Sequence, residues 1–472
     1  MEVTTLGSVA AMVGGTVDAG SATVEVGPDV VVDSRLATPG ALFVALAGER
    51  TDGHRFVPAA LEAGAAGALV DHDPGPGRVL VTDTGQALAD LAREVVAAAE
   101  GLTVTGITGS SGKTSTKDLL AQLLETAGET VAPQGSFNNE VGVPLTALRV
   151  RPGTSYLVSE MGARGLGHIH WLCSLVRPQV GVVLNVGSAH VGEFGSVEQI
   201  ATAKAELVQD LPATGWAVLS ADDPRVAAMA ELTSAQVAWF SAAADPGAGA
   251  LRVWASDQVA DPGQRYGFVL HVVRGEEHRQ APVRLQVSGE HQVANAVAAA
   301  AAALAVGLGV QQVAEALSRA VARSRWRMEI EQRADQVTVV NDAYNANPDS
   351  MRAAIRSAGR MLQAARQEHP GAKLFAVLGE MLELGRESAA AHLEVGRLAA
   401  EEGASVVLGI GDHAEQIVAG AAGAGADAVR LDSREQAVQH LQDLRPGDVV
   451  LVKASRGIGL EKVAESLLGA SC

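Results

Sequence analysis

The stretch VTGITGSSGKTSTKDLL, residues 104–120, constrains the architecture more than any other part of the chain. A β-rich run, VTGI, leads through a glycine-rich turn into TSTKDLLAQLLE, where Leu119, Leu120, Leu123 and Leu124 fall on one helical face. Such a turn puts bare backbone N–H groups and a helix N-terminus where an anion can sit. Lys113 can reach terminal phosphates as a point charge, and Thr114 offers its hydroxyl to Mg²⁺. The common phosphate-loop pattern has glycine where this chain has Ile107. Glycine is required only where φ is positive or a ligand comes close, which assigns Gly109 to the tight entry turn and Gly112 to the close phosphate approach. A Gly-Ser turn that merely caps the helix through Ser110 or Ser111 is the competing reading. The Gly-Lys-Thr ending in a strand-to-helix setting argues against it. The candidate nucleotide-binding set is therefore Gly109, Ser110, Ser111, Gly112, Lys113, Thr114 and Ser115.

A chain of 472 residues is too long for one ordinary domain, and its length suggests roughly three. β-rich runs alternate with helical stretches almost throughout, the signature of α/β architecture with mostly parallel sheets. They group into three blocks. Residues 1–101 hold VVVDSR, ALFVALAG, GALVD and VLVTD. Residues 102–322 hold the phosphate loop, SYLVSE, VGVVLNV, WAVLS and YGFVLHVV. Residues 323–472 hold QVTVVNDAY, KLFAVLG, ASVVLGI and DVVLVKAS, spaced as a small doubly wound sheet. The expected fold is thus an N-terminal α/β domain, a central phosphate-loop ATPase domain and a C-terminal Rossmann-like domain. The Gly-, Pro- and Ala-rich residues 241–267 read as a surface excursion from the central block. Apolar residues make up 47% of the chain and aromatics only 3%, so the cores must be aliphatic and alanine-rich.

A net charge of −18 argues against a general nucleic-acid surface, which needs a basic patch, but allows a local basic site for a small anion. The two cysteines, Cys173 and Cys472, form no disulfide framework and suit a reducing compartment. The start lacks a basic region and carries Glu2, unlike a signal peptide. The longest apolar run, residues 296–310, is short for a membrane span and reads as a buried helix. A cytoplasmic, monomeric protein without membrane insertion is expected.

Ligands of open α/β sheets bind beyond the carboxyl ends of strands. Glu160 ends the run YLVSE, and His190 lies a few residues past VGVVLNV, so both can converge on the phosphate loop. Taken singly, Glu160 reads as a solvated strand end and His190 as a loop histidine. Lys204, on the helical stretch SVEQIATAKAELVQDL, reads as a solvated lysine. GHIHWLC offers His168, His170 and Cys173, but no fourth zinc ligand is evident nearby, and it reads as a helix surface.

The loop TGSSGKTS, together with SEMGA, NVGSAHVGEFGS and IATAKAEL, resembles the consecutive central motifs of the Mur ligase family, which also includes the folylpolyglutamate synthetases. The resemblance runs nearly the whole chain. It implies that Thr114 and Glu160 hold one Mg²⁺, that His190 contributes to a second, and that Lys204 is carbamylated and so becomes an anionic ligand. Lys113, Glu160, His190, Lys204 and Arg327 are the implied catalytic set. The first block, VVVDSRLATPGALFVALAGERTDGH, resembles a UDP-binding first domain, with Ser34 and Arg35 facing the uridine diphosphate. GSFNNEVGVPLTAL implies contacts of Asn138 and Asn139 to substrate or nucleotide. SGEHQVANAVAAAAAA matches an adenine-side helix carrying His291 and Asn295, with Asn295 the better adenine contact. RSRWRMEI resembles the linker bearing a phosphate-contacting arginine. Arg327 matches best and Arg325 stays open, because Trp326 stands where many relatives have glycine.

VVNDAYNANPDSM resembles the opening of the third domain in the members that add D-alanyl-D-alanine to UDP-N-acetylmuramoyl-tripeptide. It places Asp342 on the nucleotide and Tyr344, Asn345 and Asn347 around the cleft, and VKASRGIGLEKV continues the likeness. Those two substrates, ATP and two Mg²⁺ ions are the implied partners, and an ATP-dependent, ADP-forming amide ligase is the implied activity. A folylpolyglutamate-type ligase or a non-catalytic nucleotide switch is the alternative. The first would leave the DSR…DGH domain surplus, and the second would leave Glu160, His190 and Lys204 unnecessary. Whether the tripeptide's third residue is lysine or a diaminopimelate stays open.

Overall fold

In the computed structural model, residues 1–48, 51–187 and 191–469 are described. They form three α/β units with mostly parallel sheets. The first is a five-stranded sheet in the order Thr16–Val17, Arg78–Leu80, Gly67–Val70, Leu42–Val44, Val30–Val31, parallel except for its first pair. The helix Thr84–Ala98 closes this unit and packs on Gly142–Ala147 and His168–Val176 of the next. One continuous apolar core, including Leu88, Leu91, Leu172 and Leu175, joins the two units.

The central sheet has nine strands. Thr103–Thr108 lies between Val180–Val183 and Thr154–Glu160, all parallel. That adjacency brings the phosphate loop, Glu160 and the segment after Val183 to one edge of the sheet, as expected for ligand sites at the carboxyl ends of parallel strands. The phosphate-loop helix is Lys113–Leu124, with Leu119, Leu120, Leu123 and Leu124 all buried. It packs on His291–Ala305, the alanine-rich helix, in which every residue from Ala296 to Ala303 is essentially inaccessible. Alanine at so many contact positions lets the two helix backbones approach closely.

Residues 241–267 are not the surface excursion that their composition suggests. Leu251–Ala260 is a ten-residue strand that pairs parallel with Gln236–Ser241 and antiparallel with Arg265–Arg274. Leu251, Val253, Trp254 and Ala255 are buried. The Pro and Gly residues mark only the turns at its two ends, where they masked the alternation between them.

The third unit has a six-stranded sheet in the order Glu329–Gln332, Thr338–Asn341, Val449–Lys453, Leu374–Leu378, Ala404–Ile410, Asp427–Leu431, parallel except for the first pair. Its two cores are its own. Thr338–Asn341 and Val449–Lys453 are neighbours, so Asp342 and Lys453 arrive together at the sheet's carboxyl edge. The linker from the central unit is held at Arg323 and Ser324, whose N–H groups donate to the Asp118 carboxylate. Among the described residues, no helix is long and apolar enough to cross a membrane.

Candidate active site

The phosphate loop is built as its glycines require. Gly112, at φ +82°, is the left-handed residue that starts the helix, and a Cβ there would run into the Asn295 side chain. At Gly109 a Cβ would meet that of Leu184 at 2.9 Å. Asn185 clamps the loop from the neighbouring strand end. Its side-chain oxygen accepts from Ser111 N–H at 3.0 Å, and its carbonyl accepts from Ser110 N–H at 3.1 Å. Lys113 Nζ donates to the Gly109 carbonyl at 2.6 Å. Desolvation holds its ammonium below the ordinary lysine range, against the pull of Glu160 and with a push from Arg327.

Glu160 is buried at the end of its strand. Thr114 Oγ1 donates to its Oε2 at 2.9 Å, and Asn138 Nδ2 donates to its Oε1 at 2.8 Å. Ser136 Oγ lies 2.8 Å from Thr114 Oγ1 and accepts from Arg327 Nη2 at 2.7 Å. Arg327 comes from the far side of the linker, so this chain of contacts ties the third unit to the phosphate loop. Its guanidinium also lies 4.3 Å from the Tyr344 ring centroid. Arg325 instead faces solvent and pairs with Glu465 at 3.5 Å. The geometry separates the two arginines: Arg327 enters the cleft and Arg325 does not.

Ser110 through Ser115 line one cleft of about 290 Å³ together with Asn138, Glu160, Asn295, Arg327, Asp342, Tyr344 and Asn345. Asp342 takes Lys453 Nζ at 2.6 Å and Met328 N–H at 3.0 Å. Lys453 also donates to the Asn345 carbonyl at 2.9 Å. Asn347 caps the long helix Pro348–Glu368 at the rim. Asn295 donates to Gln292 Oε1 at 3.0 Å and borders a second pocket of about 430 Å³ behind the loop. Among the described residues, two buried atoms of this cleft lack a hydrogen-bond partner: Arg327 Nε and His291 Nδ1. Buried polar atoms left unpaired in a cleft suit a ligand that pairs them.

Other sites read from the sequence fall elsewhere. Asn139 turns its side-chain oxygen to Gly142 N–H at 2.9 Å, at the start of the helix that follows. Ser34 and Arg35 form a one-turn helix capped by Asp33, whose carboxylate holds Arg35 at 2.6 Å. That turn lies beside a cleft of about 610 Å³ between the first and central units. Lys204 is buried on the helix Val197–Gln209, and desolvation, reinforced by Lys113, pushes its ammonium well below the lysine range. It is not the solvated lysine that the helix pattern alone suggests. His190 lies outside the described residues. His168, His170 and Cys173 do not share one centre: His168 faces Glu140, His170 faces Asp210, and Cys173, packed on Met161, also lies beside Asp210. Ser136, Asn185 and Lys453 were missed as site residues, although each sits inside a motif quoted above.

A phosphate loop whose cleft is completed by a second, Rossmann-like unit defines a nucleotide-dependent ligase assembled across domains. The chain belongs to the Mur ligase family. Residues 29–100 match the Mur ligase family catalytic domain, residues 107–303 the Mur ligase middle domain, and residues 326–456 the Mur ligase glutamate ligase domain. It is 45% identical to the UDP-N-acetylmuramoyl-tripeptide--D-alanyl-D-alanine ligase of Mycobacterium tuberculosis, over 93% of this chain and 92% of that protein. Identity to the Escherichia coli protein of the same name is 35%, over 93% of each chain. Among solved structures, MurF from Acinetobacter baumannii superposes with a TM-score of 0.84 at 30% identity, covering 99% of both chains. MurF ligase from Thermotoga maritima in complex with ADP superposes at 0.76 with 29% identity, covering 94% of this chain and 97% of that one.

Proposed function

We propose that the chain joins D-alanyl-D-alanine to UDP-N-acetylmuramoyl-tripeptide, converting ATP to ADP and phosphate, and so forms the UDP-linked pentapeptide precursor of peptidoglycan. One observation carries this reading: the phosphate loop and Glu160 share a single cleft with Asp342, Tyr344, Asn345 and Lys453 of the third unit. A phosphoryl donor, a carboxylate and an amine can meet there. The relatives that match along the whole chain, first unit included, support it over a folate-type ligase or a nucleotide switch.

In this chemistry the tripeptide carboxylate attacks the γ-phosphoryl group and becomes an acyl phosphate, and the dipeptide amine then displaces phosphate from the acyl carbon. The protein's part is positioning and charge neutralisation. Lys113 and Arg327 would meet the phosphoryl oxygens, with the N–H groups at the start of the helix Lys113–Leu124 cradling them. Asn295 and His291 border the adenine side, with Asp342 toward the ribose or phosphates. The donors around Glu160 and Thr114 are all oxygen, which fits Mg²⁺; the ion supplies further charge neutralisation when bound. A second ion would rest on His190 and on Lys204 as its carbamate. Lys204 fits that role because burial favours its neutral amine, the form that adds CO₂, whereas an ammonium would repel the metal.

We further assign residues 1–101 to the UDP end, 102–322 to ATP and 323–472 to the dipeptide. The cleft beside Ser34 and Arg35 carries Arg149 and Arg151 on its central-unit wall, which suits a diphosphate. A cytoplasmic location suits this reading, because a UDP-activated sugar and ATP are both supplied there. Product analysis tests the reading. Incubation with both substrates, ATP and Mg²⁺ must yield the tripeptide nucleotide extended by one dipeptide, with one ADP per product. Unextended nucleotide in the presence of ADP formation would sink it.

A further inference from the structure

The antiparallel side of the central sheet carries a cluster that the ligation cleft does not use. Trp254, on Leu251–Ala260, stands opposite His271, on Arg265–Arg274, and His278 lies on the adjoining strand Glu277–Ser288. The indole stacks on the His271 ring at 4.8 Å with the planes 7° apart, and on the His278 ring at 5.5 Å. His271 Nδ1 and His278 Nε2 are 3.2 Å apart.

Hydrogen bonding fixes which nitrogen of His271 is free. The Ser256 hydroxyl donates to the Asp257 carboxylate at 2.8 Å. Its oxygen therefore accepts from His271 Nε2–H, at 2.8 Å. The Nδ1 lone pair is left to accept from His278 Nε2–H at 3.2 Å, a bond that a cation replaces when His278 carries its proton on Nδ1. Histidine metal ligands are oriented in this way, by a donated hydrogen bond from the second ring nitrogen. The spacing fits as well. Two imidazole nitrogens on one tetrahedral ion, each bonded at about 2.0–2.1 Å, stand about 3.3 Å apart.

We propose that His271 and His278 form a two-imidazole site for a divalent transition cation such as Cu²⁺, Ni²⁺ or Zn²⁺, with water completing the coordination. Imidazole nitrogen selects these ions over Mg²⁺, which prefers oxygen. The site is thus chemically separate from the ligation cleft, and an ion bound there clips two strands beside their Gly275 turn.

Trp254 reports occupancy directly, because Cu²⁺ quenches the fluorescence of an indole stacked on its ligand. Titration of the full chain with Cu²⁺ is expected to give a saturable quench, absent in Trp254→Phe and not produced by Mg²⁺. The midpoint is expected to rise at least tenfold in both His271→Asn and His278→Gln. Both variants are expected to keep full ligase turnover, which shows that they fold. Equilibrium dialysis against Zn²⁺ is expected to give one ion fewer per chain in the double variant. A missing Trp254-dependent quench, or unchanged midpoints and zinc content in the folded variants, would overturn the proposal.

Discussion

Glu160 gathers two donors, Thr114 and Asn138, in a buried setting. Glu160→Gln keeps the shape and removes the charge that a Mg²⁺ needs. Turnover is expected to fall by about 100-fold or more, the scale of losing one charge-stabilising group, with little change in thermal stability; near-normal steady-state rates would remove Glu160 from the machinery. The two arginines make a paired prediction. Arg327→Ala is expected to cost about 100-fold in kcat/KM, as for other groups aimed at developing charge. Arg325→Ala, which loses a solvent-facing pair with Glu465 and a contact with the Trp326 ring but nothing in the cleft, is expected to stay within about twofold. Lys204 has a testable sign. Its folded-state ammonium is destabilised, so below the ordinary lysine range the unfolded chain binds a proton that the folded chain does not. Stability then rises with pH across that window. In bicarbonate-free buffer, Lys204→Met is expected to be inactive, more stable at neutral pH and flatter in its pH–stability profile. Parallel profiles from denaturant melts would contradict this. Glu160 was legible because it closes a strand beside the loop. Ser136 and Asn185 were not, because serine and asparagine occur in any loop and only the fold shows which ones meet the phosphate loop. Lys204 was legible only through resemblance, since burial on a helix is a tertiary fact.

Elements carry the next layer. Trp326 and Met328, at φ +58° and +52°, hold the linker in the left-handed region. That conformation costs about 1–2 kcal/mol per non-glycine residue. The Trp326 side chain offsets it: its ring lies 3.9 Å from the Arg456 guanidinium and 5.2 Å from that of Arg325, and its N–H donates to Glu465 at 3.3 Å. The glycine expected at this position is therefore replaced by a residue held through packing. Trp326→Ala loses the packing and keeps the backbone cost, while Trp326→Gly loses both. The alanine variant is expected to be the less stable by about 1 kcal/mol, read from the unfolding of the third unit; the reverse order would show that Trp326 is unstrained. Regular elements were well marked in the sequence where apolar runs were long, as in ASVVLGI and DVVLVKAS. Short edge strands such as Glu329–Gln332 and Asp427–Leu431 were not, because an edge strand pairs on one side only and needs little apolar pattern. Leu251–Ala260 was hidden by the Pro and Gly residues of its flanking turns.

At the scale of the molecule, the first and central units share an apolar core, whereas the third meets the central unit through polar and backbone contacts. Arg327 reaches Ser136, Arg360 reaches Gln264 at 2.9 Å and Glu290 at 3.1 Å, and Gly192 N–H reaches the Glu383 carbonyl at 3.2 Å. Polar contacts of this kind open and close readily, which suits a third unit that closes over the cleft and keeps water from an acyl phosphate. The most direct test of a ligation site built across these units is phosphate release from ATP, measured with each co-substrate omitted in turn. Fast, sustained release is expected only when UDP-N-acetylmuramoyl-tripeptide and D-alanyl-D-alanine are both present, at one phosphate per product. Sustained release that does not depend on both would contradict it.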